Sequence, residues 1–292
     1  MARIMRKVII GFGATAALLI IVGLIVTLKD SDPASAPTPN PNGYDDFVKA
    51  AGMIKPSGPA RKLPSAEDLS KTVADNAEAL QLARTGLTHQ CRVPLDTMVS
   101  TDRNRTEALG GFQALEVAFV MEGKLSETEN RPADAAQSYL AITRLGQEIT
   151  RGGVVIDALV GSTIEGSGLS RLEQVALRLR AEQCREVSTA LEDADLKRES
   201  VDNITHQEKV WARHKFGWRY YMHPIVIAQA RHRASAITEQ SDRTRKLMIK
   251  LAARAFELDH GAKPKNINDL VPGYLKTIPK DAYKGQEMTY PP

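Results

Sequence analysis

The chain has 292 residues, of which 42% are apolar and 5% aromatic. That length provides for one or two domains, and an apolar set dominated by Ala and Leu suits packed helices better than a β-sandwich. The formal net charge of +4 arises within residues 1–29, which hold four basic and no acidic side chains. Since the remaining 263 residues carry 35 basic and 35 acidic side chains, the bulk charge gives no argument for binding nucleic acid.

The charges of the remaining residues are unevenly distributed along the chain. Residues 30–204 have a net charge of −8, whereas residues 205–254 have a net charge of +8. One interpretation is that these two parts face each other in the fold. The other is that the basic segment presents a face to an acidic partner or to anionic lipid headgroups.

Residues 8–28 form an uncharged apolar run, which as a helix spans about 31 Å and matches a bilayer core. Three basic residues precede the run and two acidic residues follow it closely. The positive-inside rule therefore predicts a cytoplasmic stub at residues 1–7 and an extracytoplasmic C-terminal part, which is periplasmic in a bacterium with an outer membrane. The alternative is a signal peptide cleaved after Ala36. The length of the run and Pro37 favour an uncleaved, single-pass signal-anchor.

Composition predicts three further regions after the membrane helix. Residues 29–64 form a proline-rich stalk that contains a short helix near Tyr44–Ile54. Residues 65–258 form a helical domain, and residues 259–292 form an irregular tail with at most a short β-hairpin.

Capping and stop residues predict the helices of the domain. A first helix starts at Ser65 and stops at Gly86, and further helices occupy 102–123, 130–151, 154–179, 181–198 and two segments of 201–258 broken near Pro224. The predicted fold class is therefore all-α. The pair 104–123 and 132–151 is similar to a tetratricopeptide unit, so a superhelical array is one alternative, although no second copy follows at a period of about 34 residues. Three glycines favour close helix packing: Gly161, Gly166 and Gly168.

A basic aromatic segment occupies residues 211–221. Its members are Trp211, Arg213, Lys215, Phe216, Trp218, Arg219, Tyr220 and Tyr221. Core packing with cation–π contacts is the first interpretation. The second is an interfacial patch that contacts the membrane or a partner, and stacking on nucleic acid is the least favoured.

Cys91 and Cys184 are the two cysteines. In an oxidising compartment they can form a disulfide, and the alternative is two separate, reduced and buried thiols. No C-x-x-C motif is present, so the pair does not indicate redox chemistry.

Motifs for catalysis or cofactor binding are absent from the sequence. Four histidines between residues 206 and 232 are spaced by eight or nine residues, so they do not share a helical face. We find no H-E-x-x-H, Walker or G-x-S-x-G motif. We therefore predict no catalytic residue, cofactor or metal, and no small-molecule ligand or nucleic acid as partner.

The C-terminal segment 245–290 resembles the soluble end of type II secretion pseudopilins. The matching residues are Gly261, Pro264, Leu270, Val271, Pro272, Tyr274, Leu275, Pro279, Asp281, Gly285 and Tyr290. The chain also looks like uncharacterised membrane-anchored bacterial helical proteins, through Arg151-Gly152-Gly153, Leu159-Val160-Gly161 and Glu165. The pseudopilin resemblance implies a component of a secretion or pilus-like apparatus. Ala16, however, stands where a prepilin leader has Glu, so the tail is interpreted as a shared structural module.

These patterns predict a membrane-anchored extracytoplasmic helical protein that acts without catalysis, as a scaffold or through contacts with other envelope proteins. A component of a secretion or pilus-like apparatus is the first alternative. A hydrolase whose site assembles from residues distant in the sequence is the second.

Overall fold

A computed structural model describes residues 37–55, 65–95, 102–216 and 224–291. In these ranges the fold is all-α, as predicted. The helices are α1 (Gly43–Met53), α2 (Ala66–Asp75), α3 (Ala77–Gly86), α4 (Asp102–Thr128), α5 (Pro132–Glu148), α6 (Val155–Val175), α7 (Ala181–Leu196), α8 (Val201–Phe216) and α9 (Pro224–His260). Short 3₁₀ turns follow α6 and α9 at Ala176–Arg178 and Ile267–Leu270.

The predicted stub at residues 1–7 and membrane helix at residues 8–28 lie outside the described residues. Among the helices that the structure describes, none combines the length and the apolar character needed to cross a bilayer.

Helix α1 belongs to the core and not to a stalk. The assignment of residues 29–64 to a stalk does not hold for this part, because Tyr44 and Phe47 are only 1% and 0% exposed. The Tyr44 ring meets the Phe112 ring of α4 edge-on, with 5.3 Å between the centroids. Aromatic residues three positions apart give α1 an apolar face, and this face docks the helix onto α4.

The predicted cap at Ser65 is confirmed. The Asp68 N–H donates to Ser65 Oγ at 3.1 Å, and the Ser65 N–H donates to Asp68 Oδ2 at 3.0 Å. The expectation of one continuous helix up to Gly86 was wrong, because the chain breaks at buried Asn76. Its Oδ1 accepts the Lys55 N–H at 2.8 Å, so the side chain that interrupts the helix also holds the end of α1.

The predicted end of α4 at Gly123 was also wrong. The helix continues to Thr128, and the missing side chain at Gly123 leaves room for the Tyr139 ring, because a Cβ there would lie 2.6 Å from Tyr139 Cζ. Asn130 was predicted to cap α5. It instead has a φ of 57°, which places it in the turn between the two helices, and Arg131 precedes the first helical residue.

Glycines bring α5 and α6 together, which confirms the packing interpretation for Gly161 and Gly168. A Cβ at Gly146 would lie 2.5 Å from the Gly161 carbonyl oxygen, and one at Gly161 would lie 2.5 Å from the Thr150 side chain. A Cβ at Gly168 would lie 2.7 Å from the Tyr139 carbonyl oxygen. The two backbones can approach so closely only because side chains are absent at these positions.

Basic residues of α9 face acidic residues of α6 and α7. Arg245 Nε lies 2.7 Å from Asp195 Oδ2, and Lys250 Nζ lies 2.6 Å from Glu173 Oε1. For these pairs, the interpretation that the acidic and basic parts of the chain face each other is confirmed.

The C-terminal tail packs against α7. The Glu192 carboxylate accepts the backbone N–H groups of Lys276 and Thr277 at 3.1 and 3.2 Å. Within the described part of the tail, pairing is limited to one antiparallel bridge between Lys280 and Glu287. This agrees with the prediction of at most a short hairpin.

Candidate functional site

The segment 87–93 is held between two other parts of the chain. On one side the Gly43 N–H donates to the Gln90 carbonyl at 2.9 Å, and the Arg92 N–H donates to Asn42 Oδ1 at 2.9 Å. On the other side the Val93 N–H donates to the Arg151 carbonyl at 2.8 Å. These bonds fix the segment beside α5 and α7 without secondary structure of its own.

A cavity of about 590 Å³ opens between this segment, the C-terminal part of α5 and one face of α7. A second, more open depression shares Ala190 and Asp193 with it and continues toward the N-terminus of α7 along Glu182, Glu186 and Thr189. We name the two together the α7 trough. The α7 residues along it lie at steps of three or four, which places them on one face of the helix.

Basic groups line one end of the trough. Arg144 is half-buried, and its Nη2 donates to the Leu87 carbonyl oxygen at 2.8 Å. Within the described part of the chain Arg144 has no carboxylate partner, and the same holds for exposed Lys197. Arg151, in contrast, is committed to Glu148, with 3.0 Å between Arg151 Nη2 and Glu148 Oε1. Two basic residues of this cavity therefore have no anionic side chain as partner among the described residues.

Acidic groups line the other end. Glu182 and Glu186 are exposed and one turn apart on α7. Among the described residues neither has a basic partner, whereas their neighbour Arg185 pairs with Asp259. Between the two ends, Asp193 pairs with Lys276 of the tail, so the middle of the trough is close to neutral.

Cys91 lies in the wall of the cavity, but it is not an activated nucleophile. Its Sγ lies 3.7 Å from the carbonyl oxygens of Gly86 and His89. Burial, and then the neighbouring Glu148 carboxylate, raise the pKa of the Cys91 thiol. His89 Nδ1 lies 2.7 Å from Asp46 Oδ2, so this imidazole is paired with a carboxylate of α1. The geometry suits binding of charged groups better than covalent catalysis.

The proposed disulfide is not formed. Cys91 and Cys184 are both buried free thiols. Cys184 Sγ lies 3.9 Å from the Ala176 carbonyl oxygen, beneath the turn between α6 and α7. Burial raises the pKa of Cys184 to about 11. The alternative of two separate buried thiols describes the structure.

The described members of the basic aromatic segment lie away from the trough. The centroid of the half-buried Trp211 ring lies 5.5 Å from the Arg105 guanidinium carbon and 4.8 Å from Lys215 Nζ. These distances favour cation–π packing for Trp211. Arg213 follows on the same helix. The side chain of Phe216 and the residues Trp218, Arg219, Tyr220 and Tyr221 lie outside the described part of the chain.

Arg105 also holds a carboxylate in the core beneath Trp211. Its Nε donates to Asp157 Oδ1 at 3.1 Å, and Asp157 Oδ2 accepts the Val154 N–H at 2.8 Å. Burial raises the pKa of Asp157, although Arg105 opposes this shift. The cluster joins α4, α6 and α8 and is inaccessible to a ligand, since Asp157 is 0% exposed.

The sequence predictions missed the trough residues, apart from Cys91. One local signal was present, since Glu182 and Glu186 are like charges four residues apart, an arrangement that is unfavourable in an isolated helix. Nothing local connects them with Arg144 or the segment 87–91.

The chain matches no protein-family model, no curated protein and no solved structure.

Proposed function

We propose that this chain is a membrane-anchored, extracytoplasmic protein-binding module whose partner occupies the α7 trough. The observation that carries the proposal is a concave surface with uncommitted charges at both ends, Arg144 and Lys197 at one and Glu182 and Glu186 at the other. Proteins seldom leave a half-buried guanidinium without an anionic partner, because its desolvation is uncompensated. A bound partner with complementary charges supplies that compensation.

The groups that line the trough support binding rather than reaction. The Cys91 thiol has a raised pKa, His89 pairs with Asp46, and Glu148 pairs with Arg151. Each is engaged with a neighbour of its own, which favours a recognition role over hydrolysis.

The anchor and the orientation remain parts of the proposal. Residues 8–28 have the length of a membrane helix, and the preceding basic residues favour a cytoplasmic N-terminus. The helical body then stands outside the cytoplasm, where envelope proteins are available as partners. Successive packing of α4, α5 and α6 through short connections supports a superhelical stack, which also stays a prediction.

Photo-crosslinking in intact membranes tests the proposed function. A photoreactive amino acid replaces exposed Thr189 in the trough of the full-length chain, and in a second chain it replaces exposed Lys71 of α2. We expect a discrete crosslinked protein from position 189 and none of that mass from position 71. Equal products from both positions, or none from position 189, would contradict the proposal.

A further inference from the structure

The α7 trough is long enough for an extended segment of polypeptide. Glu182 lies in the first turn of α7, and Lys197 directly follows its last residue. The two are 15 residues apart, which corresponds to about 22 Å along the helix. An extended peptide of about seven residues covers this distance. A small molecule would fill one of the two depressions and leave the charges at the other end uncompensated.

The basic end is suited to carboxylates. The guanidinium of Arg144 is held in place through Nη2, which donates to the Leu87 carbonyl, so a carboxylate that approaches it meets an oriented donor. Lys197 adds an exposed positive charge to the lining of the same cavity. The one carboxylate of α5 in this part of the cavity, Glu148, is occupied by Arg151.

The acidic end is suited to lysine or arginine side chains. Glu182 and Glu186 repel each other across one helical turn, and a bound positive charge would relieve this repulsion. Ala190, between the two ends, contributes only a methyl group to the surface. The middle of the trough can therefore accept the backbone and small side chains of an extended ligand.

We infer that the α7 trough binds an extended peptide segment of about seven residues, with acidic side chains over Arg144 and Lys197 and basic side chains over Glu182 and Glu186. The inference rests on the proposed function and names the chemistry of the partner segment. A ligand that contacts only one end of the trough needs only one sign of charge, whereas the proposed peptide carries both. The spacing of the two ends requires opposite charges about 22 Å apart.

Fluorescence anisotropy with the full-length chain in detergent tests the inference. The probe is a labelled seven-residue peptide with two glutamates, three alanines and two lysines, made in both orders along the chain. The reference peptide replaces the charged residues by glutamine. We expect one order to bind at least tenfold more tightly than the reference, and added salt to reduce the difference.

Variants assign each end of the peptide to one end of the trough. We expect Arg144→Gln to weaken binding about tenfold and Lys197→Gln to weaken it about threefold. Both effects should vanish with a peptide whose glutamates are replaced by glutamine. Glu186→Gln should weaken binding about threefold, and its effect should vanish when the peptide lysines are replaced instead. Lys263→Gln and Glu78→Gln, at exposed positions outside the trough, are the matched controls.

Equal binding of the charged and reference peptides would overturn the inference, and so would variant effects that do not depend on the peptide charges. Lys197 is exposed, and its side chain makes no hydrogen bond or ion pair with the described residues. The Lys197→Gln variant therefore still tests the inference if Arg144→Gln fails to fold. Sedimentation of the same samples measures whether the chain self-associates. If the trough is occupied by a second copy of the chain, the inference is also overturned. If crosslinking from position 189 succeeds while peptide binding fails, the proposed function stands and only the ligand chemistry is wrong.

Discussion

Arg198 and Glu165 form a buried ion pair at the centre of the helical body. Arg198 Nη1 donates to Glu165 Oε2 at 2.9 Å, and the two side chains are 13% and 2% exposed. Thr244 Oγ1 and Gln147 Nε2 donate to Glu165 Oε1 at 2.8 and 2.7 Å. Burial by itself would lower the pKa of Arg198. The neighbouring Glu165 and Asp195 carboxylates outweigh this effect, so the pKa lies above its usual value. One carboxylate thus connects α5, α6 and α9 with the segment that follows α7.

Replacing Arg198 by alanine should strongly destabilise the chain, because it leaves the Glu165 carboxylate buried without its cation. We expect a loss of about 3–5 kcal/mol in the free energy of unfolding, measured by urea denaturation of the full-length chain. Arg131 makes exposed ion pairs with Glu129 and Asp134, and Arg131→Ala is the control. If both variants lost the same small amount, the pair would not hold the helices together.

The contact between α5 and α6 should not tolerate a methyl group. Gly161→Ala places its Cβ against α5, and we expect it to cost about 1–3 kcal/mol. Gly110, within α4, has open space where a Cβ would stand. Gly110→Ala should therefore stabilise the chain by about 0.5–1 kcal/mol. Thermal unfolding of the two variants measures the difference, and a stabilising Gly161→Ala would show that the helices are further apart.

Both native thiols should resist alkylation in the folded chain at pH 8. Burial raises the pKa of Cys184 to about 11 and also raises that of Cys91, so the reactive thiolates are scarce at this pH. Intact mass after treatment with iodoacetamide should show no adduct when the chain is folded and two when it is unfolded in urea. Rapid labelling of the folded chain would contradict the burial of the thiols.

The raised thiol pKa values also predict how stability depends on pH. Above about pH 8.5 the unfolded chain releases thiol protons that the folded chain retains. The contribution of the Cys184 thiol to the stability of the folded chain is therefore fully present below this pH. It is lost as the pH rises toward 11. We expect the free energy of unfolding, measured by urea denaturation, to decrease less between pH 8 and 10.5 in Cys184→Ala than in the wild type. An equal decrease in both chains would exclude this contribution.

The proposed topology predicts which positions a membrane-impermeant maleimide can reach. Lys71→Cys, at an exposed position of α2, should be labelled in intact cells. If the cells have an outer membrane, it is first made permeable to the reagent. Ala2→Cys should be labelled only after the inner membrane is disrupted, because residues 1–7 are predicted to be cytoplasmic. The opposite pattern would reverse the orientation, and labelling of both positions in intact cells would count against the anchor.

Local signals in the sequence predicted the helix boundaries that depend on local contacts. The Ser65 cap needs only a few neighbouring residues and is found where it was expected. A break was predicted near Pro224, and α9 begins at this residue. A glycine such as Gly123 predicts a helix end, but here it makes room for the Tyr139 ring, a tertiary contact that no local pattern indicates. Helix α1 was assigned to the stalk because prolines surround it, although its buried Tyr44 and Phe47 indicate core packing.

The trough could not be predicted in the same way. Its basic end combines the segment 87–91 with Arg144 and Lys197, which are about 50 residues apart along the chain. Helical spacing identifies the α7 face, but only the packing of α5 against α7 places Arg144 beside it. The like-charged pair Glu182 and Glu186 is the one feature that the sequence alone could have indicated.

The most direct test of a trough-bound protein partner is the yield of the crosslink from position 189 in intact membranes, compared between the wild-type chain and the Arg144→Gln/Lys197→Gln double variant. If a partner lies in the trough and is held by these charges, the double variant should lose most of the crosslinked product while its level and its unfolding midpoint stay those of the wild type. An unchanged yield from the folded double variant would contradict the account.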